Sequence, residues 1–217
     1  MLRAPRLRAR SNQRVLSCVY EARLRLARRT SYADYLAAEQ SSERRHDFID
    51  GVIVVMAGGS DEHNAIAGRF ARLLGNRESG SCRYYTPDQR FWIAARDRGR
   101  HADGSIICGA PEHPAHDAQA TINPTVVVEV LSPSSEGDDD GEKRLDFQSL
   151  ASLEAYVLVA QDQQRVKTYR RAGAEWFIKS YGEGDSFELP TLSAPIAVRD
   201  VYHGILDAAG RSMRADR

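Results

Sequence analysis

Apolar and polar positions alternate along the chain in two different periods. Ser31 can cap a short helix, with Asp34 three residues on as the acid of a capping box, and Tyr32, Tyr35 and Leu36 then share one face. Residues 46–56 read as two strands around an Asp50–Gly51 turn. Gly58 and Gly59 break the chain, and Ser60 caps the next element. Ile66, Phe70, Leu73 and Leu74 recur at helical spacing, which predicts an amphipathic helix of about four turns. Strands are predicted at 81–85, 89–95, 103–108 and 125–131, and Pro and His mark 109–123 as a loop. A second helix is predicted over 138–150, with Leu145 and Leu150 inward and acids at its positive end. Strands at 155–160, 165–171 and 175–181 and a helical turn at 198–205 complete the pattern.

The strand at 125–131 is nearly continuous valine, which predicts burial on both faces. This order of helices and strands predicts one α/β or α+β domain with a mixed central sheet. The domain is expected over 31–206, preceded by an Arg-rich extension at 1–30 and followed by a tail at 207–217.

Composition changes this picture in three ways. No apolar run approaches the ~18 residues that span a bilayer, so no membrane is expected. Three cysteines (Cys18, Cys82, Cys108) form no CxxC pair, so a disulfide framework is not expected and a reducing cytoplasm is the default. The formal net charge is zero, yet residues 1–30 hold nine Arg and one Glu, so the remainder is acidic. Only three basic residues are lysines (Lys143, Lys167, Lys179), which makes each one worth explaining.

Glu129 interrupts the valine run, sharing a face with Val127 and Leu131. A carboxylate there needs a partner, a hydrogen bond or a cation. Asp103 opens the preceding strand, and adjacent strands bring it within reach of Glu129. Two carboxylates plus waters suit Mg²⁺ or Mn²⁺. The following helix carries Asp139 and Lys143 at i, i+4. That spacing makes a surface ion pair in most helices, but here Lys143 can also turn back toward the acid-bearing strand. Asp47 and His63 are the other acid and imidazole within reach of this end of the fold. No Walker loop, GxGxxG, GxSxG or HExxH occurs.

These pieces form one ordered series: His46-Asp-Phe-Ile-Asp-Gly-Val-Ile-Val-Val-Met56, Ser60-x-x-His63-Asn64, Asp103, Asn123-Pro-Thr-Val-Val-Val-Glu-Val-Leu-Ser-Pro-Ser134, Asp139-x-x-x-Lys143-x-x-x-Phe147 and Glu154-Ala-Tyr-Val-Leu-Val159. The series resembles the Uma-two family of restriction-endonuclease-like proteins, within the PD-(D/E)XK nuclease superfamily, over residues 31–206. The resemblance implies a mixed sheet flanked by helices and metal-assisted phosphodiester hydrolysis. It implies Asp103 and Glu129 as ligands of Mg²⁺ or Mn²⁺, with Asp47 as the upstream acid and His63 as the family's histidine. Lys143 stands for the superfamily lysine, because the usual position two after Glu129 is Leu131. Two departures stand out: Ala102-Asp103 replaces the usual Pro-Asp, and Asp47 replaces a Glu.

The implied partner is nucleic acid, DNA in particular, met by a rim of Arg44, Arg45, Arg69, Arg90 and the Arg-rich arm. A homodimer would cut both strands, and a bacterial cytoplasm is the expected location. Two other readings stay open. One is a non-catalytic interaction or regulatory protein on the same fold. The other is a zinc protein through Cys108, His113 and His116, a set without a fourth ligand at standard spacing.

Overall fold

The computed structural model describes residues 29–56, 58–133 and 135–213. Most of the Arg-rich extension and the end of the C-terminal tail lie outside the described residues.

Local signals set the first elements. Helix α1 (Tyr32–Ser41) starts at the Ser31–Asp34 capping box, with both reciprocal hydrogen bonds made. Strands β1 (His46–Ile49) and β2 (Val52–Val55) pair around Asp50 and Gly51, whose φ angles of 51° and 81° are those of a tight hairpin turn. Helix α2 (Asp61–Gly75) is capped by Ser60, whose hydroxyl accepts from the His63 N–H, and it buries Ile66, Phe70 and Leu74.

Next come β3 (Cys82–Tyr85), β4 (Arg90–Ile93), β5 (Arg98–His101), β6 (Gly104–Cys108), β7 (Ala120–Thr121) and β8 (Val126–Leu131). Short helices α3 (Glu136–Asp139) and α4 (Glu142–Gln148) precede β9 (Ala155–Ala160), β10 (Val166–Ala172) and β11 (Glu175–Tyr181). The small strands β12 (Ser186–Phe187) and β13 (Ile196–Ala197) lead into α5 (Val198–Tyr202).

The main sheet is mixed and six-stranded, in the order β11-β10-β9-β8-β6-β3, with β8 and β9 parallel. Val126, Val128 and Val130 face α2 and α5, in one core with Ile66, Phe70 and Tyr202. Val127, Tyr156 and Leu158 face the other way, against Phe147 of α4 and Phe91 and Ile93 of β4. Cover on both faces explains the unbroken valines of β8. A five-stranded sheet, β2-β1-β5-β4-β7, supplies part of that second cover and is not foreseen by hydrophobic period. Among the described residues no helix is long and apolar enough to cross a membrane.

Three expectations are corrected. The helix expected over 138–150 breaks at Gly141, where a Cβ would lie 2.4 Å from the Gly137 carbonyl oxygen. Its inward face is Lys143, Asp146 and Phe147, while Leu145 is exposed, because this part of the interior is charged. Finally, Cys82 and Cys108 form a disulfide. The antiparallel β3–β6 register sets them directly opposite each other, a pairing that sequence spacing does not announce.

Candidate active site

The β6–β8 register aligns Gly104 with Val128, which brings Asp103, one residue before β6, beside Glu129. The Asp103 N–H donates to Glu129 Oε2 at 3.4 Å, and the Val130 N–H donates to Asp103 Oδ2 at 2.7 Å. Helix α4 returns over the end of β8. Its Lys143 Nζ lies 2.9 Å from Glu129 Oε1 and 3.4 Å from Asp139 Oδ1. From the first turn of α2, His63 Nε2 lies 3.1 Å from Asp103 Oδ2. Asp103, Glu129, Lys143 and His63 therefore meet at one place.

Asp47 sits one layer away. Its Oδ1 accepts from the His101 N–H at 2.9 Å, and its Oδ2 lies 3.3 Å from Arg100 Nη1. It reaches Lys143 only through space, as one of the negative charges that keep the ammonium protonated.

Burial dominates the electrostatics. Glu129 is 1% exposed. Burial pushes its carboxyl well above the usual range; Lys143 pulls it back, while Asp139 and Asp103 push it further up. Asp139 is raised by burial too, again opposed by Lys143. For Lys143, burial works against the charge, but Glu129 and Asp139 outweigh it and hold the ammonium well above its ordinary value. One ammonium thus faces two buried carboxyls, and the pair retains a proton to higher pH than free carboxylates would. Asp103 behaves differently. Burial opposes its ionisation, but the His63 hydrogen bond and the Lys143 charge hold it low. That same hydrogen bond raises His63 against the effect of burial.

Glu129 Oε1 is met by the Lys143 ammonium alone, and His63 Nδ1 is buried with no hydrogen-bond partner among the described residues. Close approach is built in nearby. A Cβ on Gly59 would lie 2.4 Å from His63 Nδ1, and one on Gly104 would lie 2.5 Å from the Tyr84 hydroxyl, which donates to the Asp103 carbonyl at 3.4 Å.

The donor set is two hard carboxylates, Asp103 and Glu129, side by side. It suits a hard divalent ion that keeps much of its water. Among the described residues no group of three or more His, Cys, Asp or Glu is arranged to hold a metal ion, so a closed zinc cage finds no support. The three zinc-type residues are otherwise engaged. Cys108 is in the disulfide, His113 Nδ1 donates to the Ala120 carbonyl at 2.7 Å, and His116 packs edge-on to Tyr32 and Trp92.

One member of the expected basic rim needs correction. Arg90 is buried and makes two hydrogen bonds to Asp117, of 2.8 and 3.0 Å, so it faces no nucleic acid. Arg45 pairs with Asp88 and Arg69 donates to the His203 carbonyl. Sequence reasoning underrates Asp139, treating its spacing from Lys143 as a surface ion pair. It is 4% exposed, and Tyr156 donates to its carbonyl oxygen at 2.9 Å. The only signal for that burial is its place directly after the acid-bearing strand.

Residues 32–199 match the model of the Uma2 family, described as "Putative restriction endonuclease". Two uncharacterized proteins of Synechocystis sp. are each 30% identical to the chain. One match spans 159 residues, covering 72% of this chain and 89% of that protein; the other spans 174 residues, covering 79% and 90%. In shape the chain is similar to a crystal structure described as a "putative nuclease belonging to DUF820" from Anabaena variabilis. The TM-score is 0.60 at 16% identity, over 74% of this chain and 91% of that one, a likeness of fold.

Proposed function

The chain belongs to the Uma2 family, and on that premise we propose that it is a divalent-metal-dependent endonuclease that hydrolyses phosphodiester bonds, in DNA in particular. The observation that carries the reading is Glu129. It is 1% exposed, stands beside Asp103, and shares the Lys143 ammonium, 2.9 Å from its Oε1, with Asp139. A buried carboxylate beside Asp103 and Asp139, with one ammonium shared between it and Asp139, leaves negative charge that a further cation would offset.

In this reading Asp103 and Glu129 hold Mg²⁺ or Mn²⁺. When bound, such an ion polarises the scissile phosphate and acidifies bound water. The protein's own groups do the rest. Lys143 orients the attacking water and offsets charge that grows on the phosphate oxygens. His63 fixes the Asp103 carboxylate from the α2 side, and the Val130 N–H fixes it from β8. Asp47 is a positioning residue: through Arg100 and the His101 N–H it anchors β5, the strand that leads into Asp103. Two copies acting together would cut both strands of a duplex.

Supercoiled plasmid is the test. The full chain should nick it with Mg²⁺ or Mn²⁺, stop on addition of EDTA, and lose the activity as Glu129→Gln. Nicking that survives EDTA, or that persists in the variant, overturns the assignment.

A further inference from the structure

Strand β11 closes one end of the main sheet. It pairs with β10 over seven consecutive residues without a bulge, and among the described residues no strand pairs with its other side. A long edge strand is an open template for another strand. Proteins blunt such edges with charged side chains, proline, bulges, short length or an overlying segment; β11 carries Glu175 and Lys179 but shows none of the other devices among the described residues. It also carries large apolar side chains into solvent. Phe177 is 58% exposed and Ile178 is 61% exposed, one on each face of the sheet.

The charges on this edge make a pattern with themselves. Glu175 and Lys179 flank Phe177 symmetrically, two residues to either side. Neither has an ion-pair partner among the described residues; Lys179 lies over the Tyr181 ring at 4.8 Å. A two-fold axis normal to a sheet sets residues of the same face opposite each other. Centred on Phe177, it places Glu175 against Lys179 twice, Trp176 against Ile178 twice, and Phe177 against itself. Centred on Ile178, it places Glu175 against Tyr181 and Lys179 against Phe177, which leaves all the charges unmatched. Centred on Trp176, it leaves Lys179 opposite Gly173.

We propose that β11 is the homodimer interface: it pairs antiparallel with β11 of a second copy of this chain, about a two-fold axis at Phe177, and joins the two main sheets into one. The pairing satisfies the outward backbone groups of β11, covers Phe177 and Ile178, and matches both free charges. The assignment does not depend on the nuclease chemistry.

The test is charge exchange on the full chain, read by sedimentation velocity. The unaltered protein should be a dimer at micromolar concentration. Glu175→Lys sets cations against each other twice, and Lys179→Glu does the same with anions. Each should weaken the dimer by about tenfold, as two cross-strand pairs turn from attraction to repulsion. Glu175→Lys combined with Lys179→Glu should restore it, and the two single variants should form a mixed dimer when combined. These residues are exposed, so circular dichroism should report an unchanged fold. A monomeric parent protein, singles that dimerise as well as the parent, or a double variant no better than the singles would each overturn the interface.

Discussion

Two clusters of buried charge lie against each other in this fold, and they are built on opposite rules. Around Arg100, which is 1% exposed, nearly every donor has an acceptor. Its Nε donates to Asp146 at 2.8 Å, and its Nη1 lies 3.1 Å from Asp138 and 3.3 Å from Asp47. Arg98 adds bonds to Asp50, Glu142 and the same Asp146. Around Lys143, one ammonium serves both Glu129 and Asp139, and His63 Nδ1 is left without a hydrogen bond. Arg100 and Lys143 are both almost wholly hidden from water, so burial alone does not distinguish a structural charge from a chemical one. Donor supply does. The first network is close to saturated, though His101 Nε2 beside Asp47 is buried without a partner; the second divides one ammonium between two buried carboxyls, an unsaturated arrangement that a bound cation steadies.

The sharpest way to break this contrast is to swap the readouts. Glu129→Gln should lower nicking activity by about 10³-fold or more, several kcal/mol of transition-state stabilisation, while leaving the urea midpoint nearly unmoved at about pH 4, where the native carboxyl is still protonated. Arg100→Ala should do the reverse in kind. It takes the guanidinium from Asp47 and Asp138 and leaves Asp146 to Arg98 alone at hydrogen-bond distance, and should destabilise the fold by about 3–5 kcal/mol in urea titration. An Arg100 variant of normal stability would mean that the saturated network is no more structural than its neighbour.

The clusters should also respond to pH with opposite signs. Burial raises the Asp47 carboxyl, but the His101 hydrogen bond and the Arg100 and Lys143 charges overcome it and bring it from 3.8 to about 2. A depressed folded-state value means stability that is fully present above about pH 4 and lost as pH falls through about 2. It should amount to about 2 kcal/mol. Glu129 and Asp139 are raised, so their sign is reversed. Their ionisation is easier in the unfolded chain, and stability declines as pH rises above the ordinary carboxyl range. Urea midpoints between about pH 2 and 7 separate the two effects. Asp47→Asn should flatten the acid limb, and Glu129→Gln should flatten the decline toward neutrality. Identical profiles for the two variants would erase the distinction.

The unsaturated cluster is the more legible of the two in sequence. An acid inside a valine run is a local anomaly, and its burial follows from its neighbours at 127 and 131. The Ser31–Asp34 box and the Asp50–Gly51 turn are local as well, and both form as the residues predict. The saturated cluster is invisible in sequence for a physical reason. Strand β5 reads Arg-Gly-Arg-His, a polar stretch by any hydropathy rule, yet all four residues are buried. Their partners Asp47 and Asp146 lie about fifty residues away in opposite directions along the chain. Ion pairing is non-local, so neither β5 nor the inward turn of Lys143 and Asp146 leaves a periodic trace. The burial of Arg90 against Asp117 and the Cys82–Cys108 bridge escape for the same reason.

The smallest expected effect tests whether His63 belongs to the unsaturated cluster in function as well as in place. Gly59 lies so close to the imidazole that a Cβ would come within 2.4 Å of Nδ1, whereas Gly58 has nothing within 4 Å of the same position. Gly59→Ala should therefore push the ring off Asp103, and Gly58→Ala should not. With Asp103 held only by the Val130 N–H, activity should fall by about 10- to 100-fold, the usual cost of losing an outer partner of a ligand. Stability should drop by about 1 kcal/mol or somewhat more from the crowding. Comparing the two alanine variants in the plasmid assay removes any general effect of stiffening the loop. If both cut equally well, His63 is a bystander, and the chemistry narrows to Asp103, Glu129 and Lys143.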